Sequence, residues 1–310
     1  MLKPLLLRLH RWVALAFALP LALVILTGLF LALEPALKAT TPAGTVTLAR
    51  LEAVVQAAGA KAEGGIAVRG YDGTATVGGR QGITLDLADA TPREPGWLAG
   101  AFRTARGLHE RLLLDLGWLV TASTIAMLLL APLGLLLGWP RLRHSLGGWH
   151  RLVGWALLPL LVGSPLTGLA LAFGISFTPP MPREGRPPRD AAAPPALMET
   201  LRQVAARHSL DGLDFVRQRG GTQLVRVLDA AGTATTYRAT AAGLDPLPRN
   251  WPRLLHEGNW GGLLGSLANA LAGLGMAGLL VTGLLIWARR KLRLRQMRAA
   301  RLAGAAALPG

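Results

Sequence analysis

The chain has 310 residues, of which 51% are hydrophobic, and its formal net charge is +16. Its mean hydropathy, +0.39, is high for a soluble protein. It has no cysteine, which excludes disulfides, covalently attached c-type haem and iron–sulfur clusters held by thiolates. Any metal chemistry must therefore use histidine, methionine or carboxylate ligands.

Four apolar runs are each long enough to cross a bilayer, which takes roughly 20 residues for a hydrocarbon core about 30 Å thick. They cover residues 12–33, 116–139, 152–173 and 263–287. Long polar segments lie between the first and second runs and between the third and fourth. This pattern predicts an integral membrane protein with four transmembrane helices.

A sequence repeat relates the two halves of the chain. A His-Arg pair opens the first run and, 140 residues later, the third, and each pair precedes a Thr-Gly-Leu triplet at the same spacing. A His-Glu pair opens the second run and the fourth. The pairs are His10-Arg11, His150-Arg151, His109-Glu110 and His256-Glu257, and the triplets are Thr27-Gly28-Leu29 and Thr167-Gly168-Leu169. Each half is therefore predicted as a helix with a histidine, a polar segment and a second such helix.

Each polar segment shows the periodicity of one helix followed by short strands. The predicted helices are 47–60 and 196–207, the strands 66–68, 74–77, 83–87, 213–217, 223–228 and 235–239, and a Pro- and Arg-rich linker covers 178–195. The predicted fold is a membrane α-helical four-helix bundle made of two tandem repeats, with two small α+β segments outside the membrane. Its parts are transmembrane helices at 8–34, 109–139, 149–175 and 258–290, extramembrane segments at 38–106 and 178–255, and a basic tail at 291–310.

Basic residues cluster before the first helix, in the short link between the second and third, and after the fourth. The clusters are Lys3, Arg8 and Arg11; Arg141, Arg143 and Arg151; and Arg289, Arg290, Lys291, Arg293, Arg295, Arg298 and Arg301. If the helices alternate in direction, all three lie on one face, which the positive-inside rule makes cytoplasmic. We therefore expect a bacterial inner-membrane protein with cytoplasmic termini, periplasmic polar segments and a tail that meets anionic lipid. We expect no nucleic-acid partner.

Four of the six histidines stand at corresponding ends of the four predicted helices. His10 and His150 are expected at the inner face, and His109 and His256 at the outer face. Two neutral imidazoles on facing helices can ligate one b-type haem iron, so the set predicts two haems. His144 is a rival to His150 in this pairing, and any single histidine could instead be an interfacial polar side chain.

The residues beside these motifs have two possible roles. Arg11 and Arg151 could pair with haem propionates or extend toward the headgroups. Thr-Gly pairs recur at Gly28, Gly168 and Gly283, far along each helix from its own histidine, and the spacing in the first and third helices corresponds to about 25 Å. Each glycine is therefore expected at the face of the other histidine pair, where it could make room for a macrocycle or for close helix packing. Gly134 is a candidate for the same role in the second helix.

As a set, these helix motifs resemble the PepSY-associated transmembrane helix family. The first helix starts with Leu9-His10-Arg11-Trp12 and ends in Thr-Gly-Leu, and the other helices start with Leu-His-Glu or Trp-His-Arg-Leu. The two polar segments are similar to PepSY domains. This resemblance implies a haem-dependent ferric-siderophore reductase of the inner membrane with two haems b. Electrons would pass outward to Fe(III) held by a siderophore, from an inner donor that could be a quinol or a cytoplasmic flavin carrier.

Two other functions are compatible with a duplicated membrane protein. One is a non-redox protein whose PepSY-like segments bind or regulate a periplasmic protein, with the histidines only interfacial. The other is a transporter built on repeats. The repeats are parallel, each starting inside, and no carboxylate lies in the middle of a predicted helix, which argues against proton-coupled transport.

Overall fold

The computed structural model describes residues 2–79, 82–113, 115–139, 144–178, 194–219 and 221–306. They form two compact units. A helical unit comprises the described parts of 1–27, 109–169 and 271–310, and a sheet unit comprises those of 28–108 and 170–270. Arg141, Arg143 and most of the predicted linker at 178–195 lie outside the described residues.

The described residues form eleven α-helices and seven strands. The helices are α1 (Leu2–Ala16), α2 (Ala18–Leu31), α3 (Glu34–Ala39), α4 (Leu48–Ala58), α5 (Trp97–Arg111), α6 (Gly117–Leu136), α7 (Leu146–Ala156), α8 (Leu158–Ala172), α9 (Leu197–Arg207), α10 (Trp251–Glu257) and α11 (Gly262–Ala306). The strands are β1 (Ile66–Arg69), β2 (Thr74–Val77), β3 (Ile83–Asp86), β4 (Leu213–Arg219), β5 (Thr222–Leu228), β6 (Ala234–Thr240) and β7 (Gly243–Pro246).

Three helical segments, at Ala18–Ala39, Gly117–Leu136 and Gly262–Arg301, are long and apolar enough to cross a membrane. The bent pair of α7 and α8 adds a fourth if it is one span. The protein is therefore a multi-pass membrane protein by the length and composition of its described helices. α11 continues past residue 290, so the described part of the predicted basic tail is helical.

The first and third predicted helices are each broken, which corrects the expectation of continuous helices at 8–34 and 149–175. The first breaks at Phe17, between α1 and α2, and the third bends by 63° between α7 and α8. Pro20 and Pro159 stand in the first turn after each break. Proline has no N–H to donate and its ring clashes with the carbonyl four residues earlier, so neither helix can run straight through these positions.

The second and fourth predicted helices also need correction, because His109 and His256 stand on separate preceding helices. α5 ends at Arg111, and Leu112 and Leu113 then have φ of 51° and 61°, in the left-handed region that ends a helix. α10 ends at Gly258, whose φ is 76°. Each of these histidines therefore lies in the last turn of a helix that precedes a membrane span.

The strands of both polar segments form one antiparallel sheet in the order β3-β2-β1-β4-β5-β6-β7. The join is the β1–β4 pair, where Ile66 is opposite Val216. This corrects the expectation of two small separate segments, and it adds β7, for which no strand was predicted. Isolated short strands are marginally stable, so joining them gives both halves one core. That core also takes Leu51 from α4 and Leu201 from α9, both fully buried.

Candidate functional site

His150 lies half-buried on α7 and contacts α11 through a hydrogen bond. Its Nδ1 lies 2.7 Å from Thr282 Oγ1, and that hydroxyl donates to the Gly278 carbonyl at 2.6 Å. Since the threonine proton is already used, Thr282 accepts from the imidazole, and Nδ1 carries the ring proton. Nε2 then keeps its lone pair, which is the tautomer of a metal-ligating histidine oriented by an oxygen acceptor.

His109, at the end of α5, has an equivalent arrangement. Its Nδ1 lies 3.0 Å from the Val24 carbonyl and 3.2 Å from Thr27 Oγ1. The Thr27 hydroxyl donates to the Leu23 carbonyl at 2.6 Å. A carbonyl can only accept, so His109 also has its proton on Nδ1. The threonines of two predicted Thr-Gly pairs therefore accept from the two histidines in the same way.

His10, on α1, is placed differently. Its ring interacts with the backbone of Leu130, and its Nδ1 is buried with no hydrogen-bond partner in the described part of the chain. His10 and His150 are close enough to interact electrostatically. The structure thus brings together the two histidines predicted for one haem, and the His10 ring keeps hydrogen-bonding or ligating capacity that described residues do not satisfy.

Glycines stand beside both of these imidazoles. A Cβ added to Gly283 would lie 3.4 Å from Cε1 of His150, and one added to Gly134 would lie 3.7 Å from Cε1 of His10. The sequence predicts this placement, because each glycine lies at the opposite end of its predicted transmembrane helix from the histidine that opens that helix. Gly28 on α2 and Gly168 on α8 remain predictions.

The other predicted residues differ in burial. Arg11 has a buried Nε without a hydrogen-bond partner among the described residues, and its guanidinium lies 5.7 Å from the Trp12 ring centre. Arg151 is exposed. His144 is exposed and directly precedes Ser145, the residue that caps α7. Within the described residues, burial therefore favours His150 over its rival His144 as a ligand, and Arg11 over Arg151 as an anion partner.

His256 stands in the sheet unit and is positioned by its neighbours. The Asn269 side-chain amide donates to the His256 carbonyl at 2.8 Å and to the Leu255 carbonyl at 3.2 Å, which satisfies the open end of α10. Glu257 accepts from Arg226 and from Arg253, each at 2.8 Å. These bonds fix the helix turn that carries His256.

An ion-pair network that the sequence reasoning missed extends from this turn. It comprises Glu34, Lys38, Arg106, Asp214, Arg226, Arg253 and Glu257. Burial by itself would raise the pKa of Glu257, but Arg226 and Arg253 lower that pKa to about 2. The one signal in the sequence was the acidic residue after each outer histidine. It was ambiguous, because Glu257 joins the network whereas Glu110 is exposed.

The donor set fits haem better than a metal ion held by protein alone. Among the described residues there is no group of three or more His, Asp or Glu side chains that could hold a metal. A haem iron takes only two axial ligands from the protein. Two nearby imidazoles, and a ring nitrogen that no described residue satisfies, are features that such a group requires.

The family model described as the PepSY-associated TM region matches residues 7–290. The match includes all four histidines of the repeat and both polar segments. No curated protein matches the chain.

Proposed function

The chain belongs to the PepSY-associated transmembrane family, and we propose that it carries electrons across a bacterial inner membrane through two b-type haems to periplasmic Fe(III)-siderophore. The observation that carries this proposal is the hydrogen bond from His150 to Thr282. A histidine that was merely an interfacial polar group would need no acceptor on a neighbouring helix that selects its tautomer. The same arrangement recurs at His109, in the other half of the repeat.

The inner haem is assigned to His10 and His150. When bound, a haem iron takes up and gives up one electron at a time. Thr282 holds the His150 ring, while Gly134 and Gly283 let the two imidazoles lie close against the helix backbones. The surrounding apolar helices exclude water, which lowers the cost of moving an electron between buried sites.

The outer haem is assigned to His109 and, from the sequence repeat, to His256. The support from the structure is separate for each residue. His109 is held through Nδ1 by Val24 and Thr27, and the turn with His256 is held by Asn269 and Glu257. Acceptors therefore orient the His109 ring, as they orient haem ligands, and neighbouring side chains fix the backbone turn that carries His256.

The direction of transfer follows from the basic clusters. Cytoplasmic termini, as the positive-inside rule predicts, place His10 and His150 on the donor side. A quinol or a cytoplasmic flavin carrier would supply the electron there. At the periplasmic face one electron converts Fe(III) to Fe(II), which binds the hard oxygen ligands of a siderophore less strongly and is released.

The test is electron transfer across a sealed membrane. Proteoliposomes with dithionite trapped inside are given an external Fe(III)-siderophore and an external Fe(II)-specific chelator, so no particular biological donor is required. We expect coloured Fe(II)–chelator complex to form with the wild-type protein and with His144→Ala, but not with His150→Ala or His109→Ala. If liposomes with the wild-type protein form no more complex than empty ones, siderophore reduction is wrong. If the protein also lacks haem, a non-redox role in binding a periplasmic protein takes its place.

A further inference from the structure

A second feature of the helical unit is a cavity of about 390 Å³ between the start of α7 and the middle of α11. Its lining divides into a basic part and an apolar part. The basic part is Arg289, Arg290 and Arg293, and the remainder is Ser145, Leu146, Gly147, Ile286 and Leu294. None of the electron-transfer residues lines it, so the proposed function does not account for it.

The three arginines have no acidic partner among the described residues. In the described part of the chain none of them makes an ion pair, and neither α7 nor α11 contains any Asp or Glu. Three guanidinium groups at one cavity repel one another unless an anion lies between them. Arginine presents a planar fork of donors that fits phosphate oxygens.

The α7 terminus adds donors on the opposite wall. Ser145 caps the helix by accepting from the Gly148 N–H at 3.1 Å. The N–H groups of Leu146 and Gly147 precede the first full turn and have no intrahelical acceptor. A Cβ added to Gly147 would meet no atom within 4 Å, so this wall is open to a ligand.

The cavity lies where α11 changes from apolar to basic. The helix has no charged residue from Gly262 to Ala288 and is strongly basic from Arg289 onward. Lys291 lies 5.1 Å from the ring centre of Trp287, and tryptophan is typical of the membrane–water interface. A ligand here would have its anionic group beside the arginines and its apolar part against Leu146, Ile286 and Leu294.

We propose that this cavity binds the phosphate headgroup of an anionic phospholipid, independently of any haem. Arg289, Arg290 and Arg293 would contact the phosphate, together with the N–H groups at the start of α7. The acyl chains would pass along the apolar residues. An anionic lipid is favoured over a soluble phosphate compound because the lining combines both kinds of surface at interfacial depth.

Native mass spectrometry of the full chain, released from detergent, tests this with phosphatidylglycerol and with phosphatidylcholine of the same acyl chains. We expect the wild-type protein to retain phosphatidylglycerol preferentially. The variant Arg289→Gln/Arg290→Gln/Arg293→Gln should bind it roughly a hundredfold more weakly, since each basic residue near an anionic lipid surface contributes measurably to binding. The matched control Arg295→Gln/Arg298→Gln/Arg301→Gln removes the same charge from the same helix and should bind much as the wild type does.

A second variant keeps every charge. Gly147→Leu places a side chain in the open space at the α7 wall, and leucine is a better helix former than glycine, so the protein should fold while losing its preference for phosphatidylglycerol. Equal weakening by both arginine triples would overturn the proposal in favour of unspecific charge attraction. Displacement of the lipid by millimolar glycerol 3-phosphate or flavin mononucleotide would also overturn it, by indicating a soluble phosphate ligand. Haem content, measured on the same samples, reports on the proposed function separately.

Discussion

Thr282 and Thr27 accept hydrogen bonds from histidines on other helices while donating their own protons to carbonyls one turn back. Nδ1 of His10 has no such acceptor among the residues that the structure describes. The residue before Gly134 is Leu133, whereas the residue before Gly283 is Thr282. The two imidazoles that we assign to the inner haem are therefore not equivalent, because one has an oriented Nδ1–H and the other does not.

Thr282→Val keeps the shape of the side chain and removes this acceptor. Without this acceptor, the Nδ1–H bond of His150 is less polarised, so the imidazole donates less electron density to Fe(III). The reduction potential of the inner haem should therefore rise. A spectroscopic redox titration measures this shift. Haem affinity should fall roughly tenfold or more, the usual effect of losing an outer-shell partner.

Thr121→Val is the control, since Thr121 also donates to the carbonyl four residues earlier, that of Gly117, in a membrane helix. It should leave both the potential and the haem content at wild-type values. A potential that stays unchanged in Thr282→Val, with haem still bound, would show that Thr282 only packs against His150.

The sequence could supply the four histidines but not their contacts. Which threonine faces which imidazole depends on helix rotation and on the breaks at Phe17 and Leu157. Hydrophobic periodicity does not show how a helix is rotated about its axis when the helix is apolar on every side. The repeated Thr-Gly pairs were the available signal, because the hydroxyls of Thr27 and Thr282, and not only the glycines, contact the imidazoles.

At the scale of elements, strands and soluble helices were predicted well because their patterns are local. The strands predicted at 66–68, 74–77 and 223–228 correspond to β1, β2 and β5. The joining of both halves into one sheet was not predictable, since β1 and β4 are far apart in sequence and each half alone satisfied the pattern. The separate helices with His109 and His256 were missed because apolar runs do not show where a backbone turns.

Asn269→Ala tests how the turn with His256 is held. The substitution removes both hydrogen bonds to the carbonyls of Leu255 and His256, leaving the end of α10 unsatisfied. We expect a loss of about 0.5–1.5 kcal/mol in the free energy of unfolding, the net contribution of a typical hydrogen bond, because these bonds are only partly buried. Thermal unfolding followed by circular dichroism measures it. Gln296→Ala changes an exposed position of α11, the helix that also carries Asn269, and should leave the unfolding temperature unchanged. Equal stability of the two variants would contradict the role of Asn269 in holding the turn.

At the scale of the whole molecule, the sheet unit is held by a buried charge network as well as by its apolar core. Burial by itself would raise the pKa of Asp214, but Lys38 and Arg226 hold that pKa below its usual value. Burial would lower the pKa of Lys38, yet Asp214 and Glu34 raise it. Removing one member of such a network leaves a buried charge uncompensated.

The network makes stability depend on pH in a predictable direction. The pKa of Glu257 is about 2 in the folded protein, against 4.5 for the free side chain. Since the folded value is depressed, the stabilisation is complete above about pH 4.5 and is lost as the pH falls toward 2. Unfolding temperatures measured across this range should fall steadily with acidification.

Glu257→Gln should flatten this acid dependence and cost about 3–5 kcal/mol at neutral pH, as expected when one partner of a buried ion pair is removed. The control Glu94→Gln changes an exposed carboxylate in the same unit and should do neither. A Glu257→Gln protein with the acid profile of the wild type would show that the network does not set the pH response.

The haem content of the purified protein tests the central claim most directly. The ratio of haem to protein, measured by the pyridine haemochrome absorption of protein expressed with ample haem, should be two in the wild type. It should be about one in both His150→Ala and His109→Ala, since each histidine belongs to a different haem that needs two axial ligands. A wild-type protein without haem would contradict the claim of two independent haem sites. So would the loss of both haems from either single variant while its fold stays intact.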